Sequence, residues 1–402
     1  MLYHSRLTRA LEERRAEFVR FEHALRDEVS EAAARLCSLA ERPAAEVEAL
    51  AGGRASFPSG ELDSARGVVV PFGAAWRSHE EARRWAVGAL AGRTTFAADG
   101  SQVFPGREVS VPVAAVQVAW FENPHGPEGR YFKDVRFEVI PPGELLGSAR
   151  AYESPEQVVG SKRFELEART ICEFLERKRG WRARGERLPV AFLDGTLLIS
   201  SRRKETEVAF FEHYAAAAGE LVRLSRETEV PVVGYIDHSY APDLRDMLEA
   251  LDPGLGAGTV YDAQLLREPA GGREPLLASW GDRTIFWLCR RRNFSERHFY
   301  DAAGRPLVGF VYLQTTGDGY PARLDLPAWV YEAGLLEEVV DAVRAECVVG
   351  NGYPYAVEAA DEAAHMSGRD REQFLRAVQE FAADNSFDLR LSRKALSKNR
   401  RR

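Results

Sequence analysis

Two apolar runs of this chain, TTFAADGS (94–101) and PVAFLDGT (189–196), each close on an aspartate, a glycine and a hydroxyl residue. An uninterrupted apolar run of this length suits a strand buried on both faces, and Asp-Gly is a turn signal. The pattern predicts two strands that end at Asp99 and Asp194, with both carboxylates on rigid backbone at the rim of a sheet. If the strands are neighbours, the two carboxylates converge. Close carboxylates repel unless a proton or a cation intervenes, and hard oxygen ligands suit Mg²⁺ or Mn²⁺.

The segments around these runs predict an α/β fold. VSVPVAAVQVAWFEN and YFKDVRFEVIPP alternate as strands, and a helix is expected from Ser154 to Lys178, where Ser-Pro-Glu supplies a cap and a first-turn proline. Another long helix is expected from Lys204 to Glu229, then a buried strand in VPVVGYIDHS that ends at Asp237, followed by His238. The order β-β-β-α-β-α-β predicts a mixed sheet flanked by helices, the order of RNase H-like folds. Residues 254–315 read as short helices and then strands, DLPAWVYEAGLLEEVVDAVRAEC as a helix, and the stretch from Gly352 to Asn385 as one or two more.

Ahead of this core, Leu7, Leu11, Phe18, Phe21, Leu25, Val29 and Ala33 recur near helical spacing, so a long N-terminal helical arm is expected over about residues 5–50. No linker-like composition divides the chain. The expected organisation is an arm over 1–92, one elaborated catalytic domain over 93–385, and a basic tail over 386–402.

A third acidic ligand follows from heights. The strand from Pro189 to Asp194 rises some 17 Å at about 3.3 Å per residue. An antiparallel helix climbs that height in roughly 11 residues. Counting back from Lys178 reaches Glu167, with Glu165 as the close alternative. A later helix offers Asp361 and His365, four apart and on one face, either of which could complete the site.

Composition narrows the class. The net charge of −7 argues against a protein that coats nucleic acid nonspecifically, yet basic patches stand at Arg290, Arg291 and Arg292 and in the tail from Arg390 to Arg402. The four cysteines are scattered, with no zinc pattern and no disulfide framework. No apolar run approaches the roughly 20 residues of a membrane span, and the charged N-terminus is unlike a signal peptide, so a cytoplasmic protein is expected.

The ordered set FAADGS, LDGTLL, PARLDLP and GYPYAVEAADEAAHMSGRDRE resembles the NurA nuclease family over roughly residues 93–385. The resemblance implies an RNase H-like, Mn²⁺- or Mg²⁺-dependent nuclease that acts on DNA ends and single strands. It also implies a homodimer that works with a hexameric HerA-type ATPase in end resection and repair. Carried over by position, Asp99 and Asp194 are the family's strand aspartates, and the helix glutamate falls on Glu165 or Glu167. The family's C-terminal histidine falls on Asp361, with His365 nearby, a departure that leaves the fourth ligand open. Tyr320 and Arg323 match a segment near the family's substrate groove.

The mechanism these residues predict is phosphodiester hydrolysis with two ions, in which Asp99 contacts both, Asp194 and the helix glutamate hold one each, and Asp361 or His365 closes the site. A sugar-kinase or actin-type phosphotransferase shares the core, but neither DGS nor DGT sits in a glycine-rich phosphate loop. A non-catalytic DNA clamp beside a motor is the third reading, and the complete carboxylate set weighs against it.

Overall fold

The computed structural model describes residues 3–106, 110–147, 154–198, 208–255, 258–269, 274–291 and 296–386. The chain divides into two compact units: one of 1–75, 236–292 and 309–324, and another of 76–235, 293–308 and 325–402.

The second unit holds the two Asp-Gly segments. Its longer helices are α1 (His79–Leu90), α2 (Pro155–Lys178), α3 (Val208–Thr228), α4 (Leu336–Val349), α5 (Tyr355–Ala364) and α6 (Gly368–Asp384). Its strands are β1 (Thr95–Val103), β2 (Ala114–Asn123), β3 (Phe132–Ile140), β4 (Val190–Asp194) and β5 (Val232–Ile236). Spatial order is β5-β4-β1-β2-β3, with β1, β2 and β3 an antiparallel meander and β4 and β5 parallel to β1. This is the RNase H-like arrangement.

The helices begin where capping chemistry allows. Ser154 accepts from the Gln157 amide and Pro155 follows, so α2 starts there. Phe174 of α2 stacks on Phe96 of β1 with ring centroids 4.3 Å apart, both rings fully buried. Each such ring removed from water contributes on the order of 1.5–3 kcal/mol. That contact also sets the sheet's faces: residues 96, 98 and 100 look toward α2, and 95, 97, 99 and 101 look away.

Three local expectations are corrected. The first strand does not stop at Asp99 but continues to Val103, because pairing with β2 runs on to Val103 opposite Ala115. The second strand begins at Ala114, not at Val111 or Val113 before it. DLPAWVYEAGLLEEVVDAVRAEC is not one helix. Ala322–Pro327 is a strand buried at every residue, and helices follow at Ala328–Glu332 and α4. Pro327 and Gly334 punctuate it, one fixing φ and the other adopting φ +70°.

The first unit opens with a 35-residue helix, His4–Ser38, whose buried residues Val29, Ala32, Ala33 and Leu36 all lie in its C-terminal part. The strands Phe57–Pro58 and Val69–Val70 pair with Trp287–Leu288 and Arg283–Thr284, which joins residues far apart in the chain. Among the described residues, no helix is long and apolar enough to cross a membrane.

Candidate metal centre

Asp99 and Asp194 meet through strand register. Ala98 of β1 stands opposite Leu193 of β4, so one further step sets Asp99 beside Asp194 with matching parity. Gly195, at φ +130°, turns the chain out immediately afterward, a conformation open to glycine.

Glu167 comes from α2, over Gly100. A Cβ at position 100 would lie 2.5 Å from Glu167 Oε1 and 2.8 Å from Arg163 Cγ, so only glycine admits both side chains there. Glu167 is buried, whereas Glu165 is exposed and stands 3.9 Å from Lys162. Of the two candidate glutamates, Glu167 is the one beside the aspartates. The helix places them on different faces because they are two residues apart.

Asp361 reaches the group from α5. Both ends of that helix are fastened. The Ala356 amide donates to Glu346 Oε2 at 2.9 Å, while Ser101 Oγ and Gln117 Nε2, opposite one another on β1 and β2, donate to the Ala364 carbonyl at 2.5 and 3.1 Å. The Asp361 charge is felt at Asp99. His365 lies just past the helix, exposed, where its charge acts on Asp370 instead.

The electrostatics are those of crowded acids. Burial, then the charges of Asp194 and Asp361, pushes the Asp99 carboxyl up to about 6, against relief from the Gly100 amide and Arg163. Burial, with Asp99 and Asp194 adding to it, pushes Glu167 up to about 8, against relief from Arg163. Arg163 Nη1 donates to the Gly100 carbonyl at 2.9 Å and stands 3.3 Å from Glu167 Oε1. That approach is an ion pair without hydrogen-bond geometry, and Glu167 Oε1 remains a buried acceptor with no hydrogen-bond donor. Tyr353 donates its hydroxyl to Asp194 Oδ1 at 2.9 Å and rests edge-on against Tyr235.

Buried Glu167 and half-buried Asp99, both with raised proton affinity, stand beside the exposed carboxylates of Asp194 and Asp361, and together with the unsatisfied Glu167 acceptor this oxygen set fits a hard divalent cation. As the side chains stand, no three acids, histidines or cysteines among the described residues are arranged so that they could hold a metal ion together. Arg163 and Tyr353, which engage Glu167 and Asp194 here, were not singled out from the sequence. Arg163 precedes Glu167 by four residues, a helical i,i+4 relationship that could have pointed to it.

Arg290, Arg291, Tyr320 and Arg323 belong to the first unit. Arg323 is buried, with Nη1 2.7 Å from Asp243 Oδ2 and its guanidinium over the Phe310 ring at 3.9 Å. Arg291 also pairs with Asp243, at 2.7 Å. Arg290 lies over the Phe57 ring at 5.8 Å, and its amide donates to Ser56. Tyr320 donates to Glu268 Oε1 at 2.5 Å. Asp237 and His238 pair with one another at 2.9 Å. Arg292 and the basic tail from 387 lie outside the described residues.

An RNase H-like α/β unit with acids converging from β1, β4, α2 and α5 defines the class. The NurA domain family model matches residues 93–366, and the chain belongs to that family. It is also similar to a crystal structure of NurA with manganese, at 9% identity and TM-score 0.39, over 73% of this chain and 92% of that one. A crystal structure of NurA matches at 9% identity and TM-score 0.40, over 73% and 91% of the two chains. A crystal structure of NurA bound to dAMP and manganese matches at 12% and 0.36, over 75% and 92%. No curated protein matches the sequence.

Proposed function

We propose that this protein is a divalent-cation-dependent deoxyribonuclease that hydrolyses phosphodiester bonds. The observation that carries the reading is the convergence of Asp99, Asp194 and Glu167, where burial and then mutual charge raise the proton affinity of Asp99 and Glu167. Membership of the NurA domain family supports it.

Asp99, Asp194, Glu167 and Asp361 would hold Mn²⁺ or Mg²⁺, two ions per site, with His365 the alternative to Asp361. Bound cations of this kind supply an activated water and neutralise charge on the leaving oxygen. The protein's own groups set the geometry. Tyr353 orients Asp194, Ser101 and Gln117 fix the end of α5 that brings Asp361, and Gly100 leaves room for Glu167. Arg163 holds positive charge beside Glu167 and Asp99 and limits their repulsion.

The finer reading follows the family: 5′–3′ exonuclease and single-strand endonuclease activity, in a cytoplasmic homodimer acting with a HerA-type hexameric ATPase in end resection and double-strand-break repair. Arg290, Arg291 and Tyr320 are proposed DNA contacts, Arg291 only if released from Asp243. End-labelled single- and double-stranded DNA, incubated with each divalent ion separately, tests the activity. Cleavage is expected with Mn²⁺ or Mg²⁺ and is expected to vanish in Asp99→Ala and Asp194→Ala. Robust cleavage by either folded variant would overturn the assignment.

A further inference from the structure

The N-terminal helix carries an apolar stripe that its own unit leaves bare. Its first buried residue is Val29, so residues 4–27, about 36 Å of helix at 1.5 Å per residue, stand exposed or half-buried. In that stretch Leu7, Leu11, Phe18 and Phe21 are 39%, 52%, 61% and 56% exposed, with Leu25 half-buried beyond them. Together with Arg14 they sit at 7, 11, 14, 18, 21 and 25, spaced alternately four and three apart. That spacing is the a/d seam of a coiled coil, which needs a second helix to cover it.

We propose that the occupant is the same helix of a second copy of this chain, packed antiparallel. The inference rests on the homodimer reading above and says where the subunits meet. Charge beside the seam decides both the partner and the direction. Flanking the seam, Arg15 and Glu22 occupy one side, and Glu17 the other. A parallel pair would set Glu17 of one helix against the second copy's Glu22, like against like. An antiparallel pair that packs Phe18 on the second copy's Phe21 sets Arg15 against Glu22, twice by symmetry.

Pairs along each helix extend the alternation. Arg15 bonds Glu12 at 3.2 Å and Arg26 bonds Glu22 at 2.5 Å, all four side chains more than half exposed. Across the seam the sequence of charges becomes Glu12, Arg15, Glu22, Arg26, without a like-charge neighbour. Arg14 falls opposite Leu25, where its stem covers apolar surface and its head, paired with Glu17 at 2.9 Å, reaches water. A polar residue at such a position fixes register. The base of the arm is held by Glu28, which takes Arg245 at 3.2 Å and the Thr259 amide at 3.1 Å.

Sedimentation equilibrium of the full-length protein tests this, with helix content followed by circular dichroism. The wild type is expected to dimerise, and Phe18→Glu with Phe21→Glu to weaken dimerisation at least about tenfold. Arg15→Glu and Glu22→Arg are each expected to weaken it, and their combination to recover it. A folded Phe18→Glu, Phe21→Glu protein that dimerises as wild type overturns the inference and leaves the homodimer reading standing. A monomeric wild type overturns both. Failure of the combined charge reversal to recover dimerisation overturns the antiparallel register.

Discussion

Gly100 and Glu167 occupy the same space: a methyl group on one would lie 2.5 Å from the carboxylate oxygen of the other. The strand backbone thus serves as a wall of the acid cluster. Gly100→Ala must displace Glu167 or Arg163, or move the strand. We expect a stability loss of about 1–3 kcal/mol, the usual cost of overpacking, and cleavage reduced together with Mn²⁺ affinity. Chemical denaturation and calorimetric Mn²⁺ titration measure the two. Wild-type affinity in the variant would remove Gly100 from the site.

The acid cluster predicts a pH dependence of stability. Asp99 and Glu167 sit at about 6 and about 8 in the folded chain, against ordinary values of 3.8 and 4.5. The folded state therefore retains protons that the unfolded chain releases. The contribution is nil below about pH 4, grows unfavourable as the unfolded chain loses its protons, and is complete only once pH has passed about 6 for Asp99 and about 8 for Glu167. Without divalent ions, wild type should lose melting temperature from pH 5 to pH 8 more steeply than Glu167→Gln. Parallel curves would show that Glu167 carries no such shift.

The same protons must leave when a cation arrives. Mn²⁺ affinity is expected to climb from pH 5.5 to 8, with net proton release on binding at the lower pH. Titration calorimetry in buffers of different ionisation enthalpy counts the protons. Affinity flat across this range would count against Asp99 and Glu167 as ligands.

Tyr353 orients Asp194 through one hydrogen bond. Tyr353→Phe is expected to weaken Mn²⁺ binding by about 10–100-fold, the effect of removing a group that orients a metal ligand, with little change in unfolding. Unchanged binding would make the contact incidental.

Asp243 balances Arg291 and Arg323 in a buried cluster, which holds its carboxyl well below the usual range despite the burial. Asp243→Ala leaves two guanidiniums without their counterion, and a loss of about 3–5 kcal/mol is expected. Arg323→Ala is expected to register in urea denaturation and not in DNA affinity. A stable, folded Arg323→Ala protein with weakened DNA binding would return Arg323 to the substrate surface.

Much of the candidate site was legible because backbone periodicity carries it. Asp99 and Asp194 follow from two apolar runs ending in Asp-Gly, and Glu167 from the heights of a strand and a helix. Two neighbours of this group were less legible, Arg163 hinted at only by its place four residues before Glu167 and Tyr353 by nothing local. Arg163 matters because it reaches Gly100 and Glu167 across a packed interface, and Tyr353 because it donates to a carboxylate 159 positions away.

Local sequence determined the order of strands and helices from β1 to β5, the capped start of α2 and the heptad stripe of the N-terminal arm, since each depends on neighbours within a few turns. Tertiary structure alone decided that the first strand runs past Asp99 to Val103, that Glu167 and not Glu165 faces the acids, and that Arg323 is buried against Asp243. Those outcomes depend on which distant side chains meet in a medium of low dielectric, where an unpaired charge is costly and a strand continues as long as its partner does.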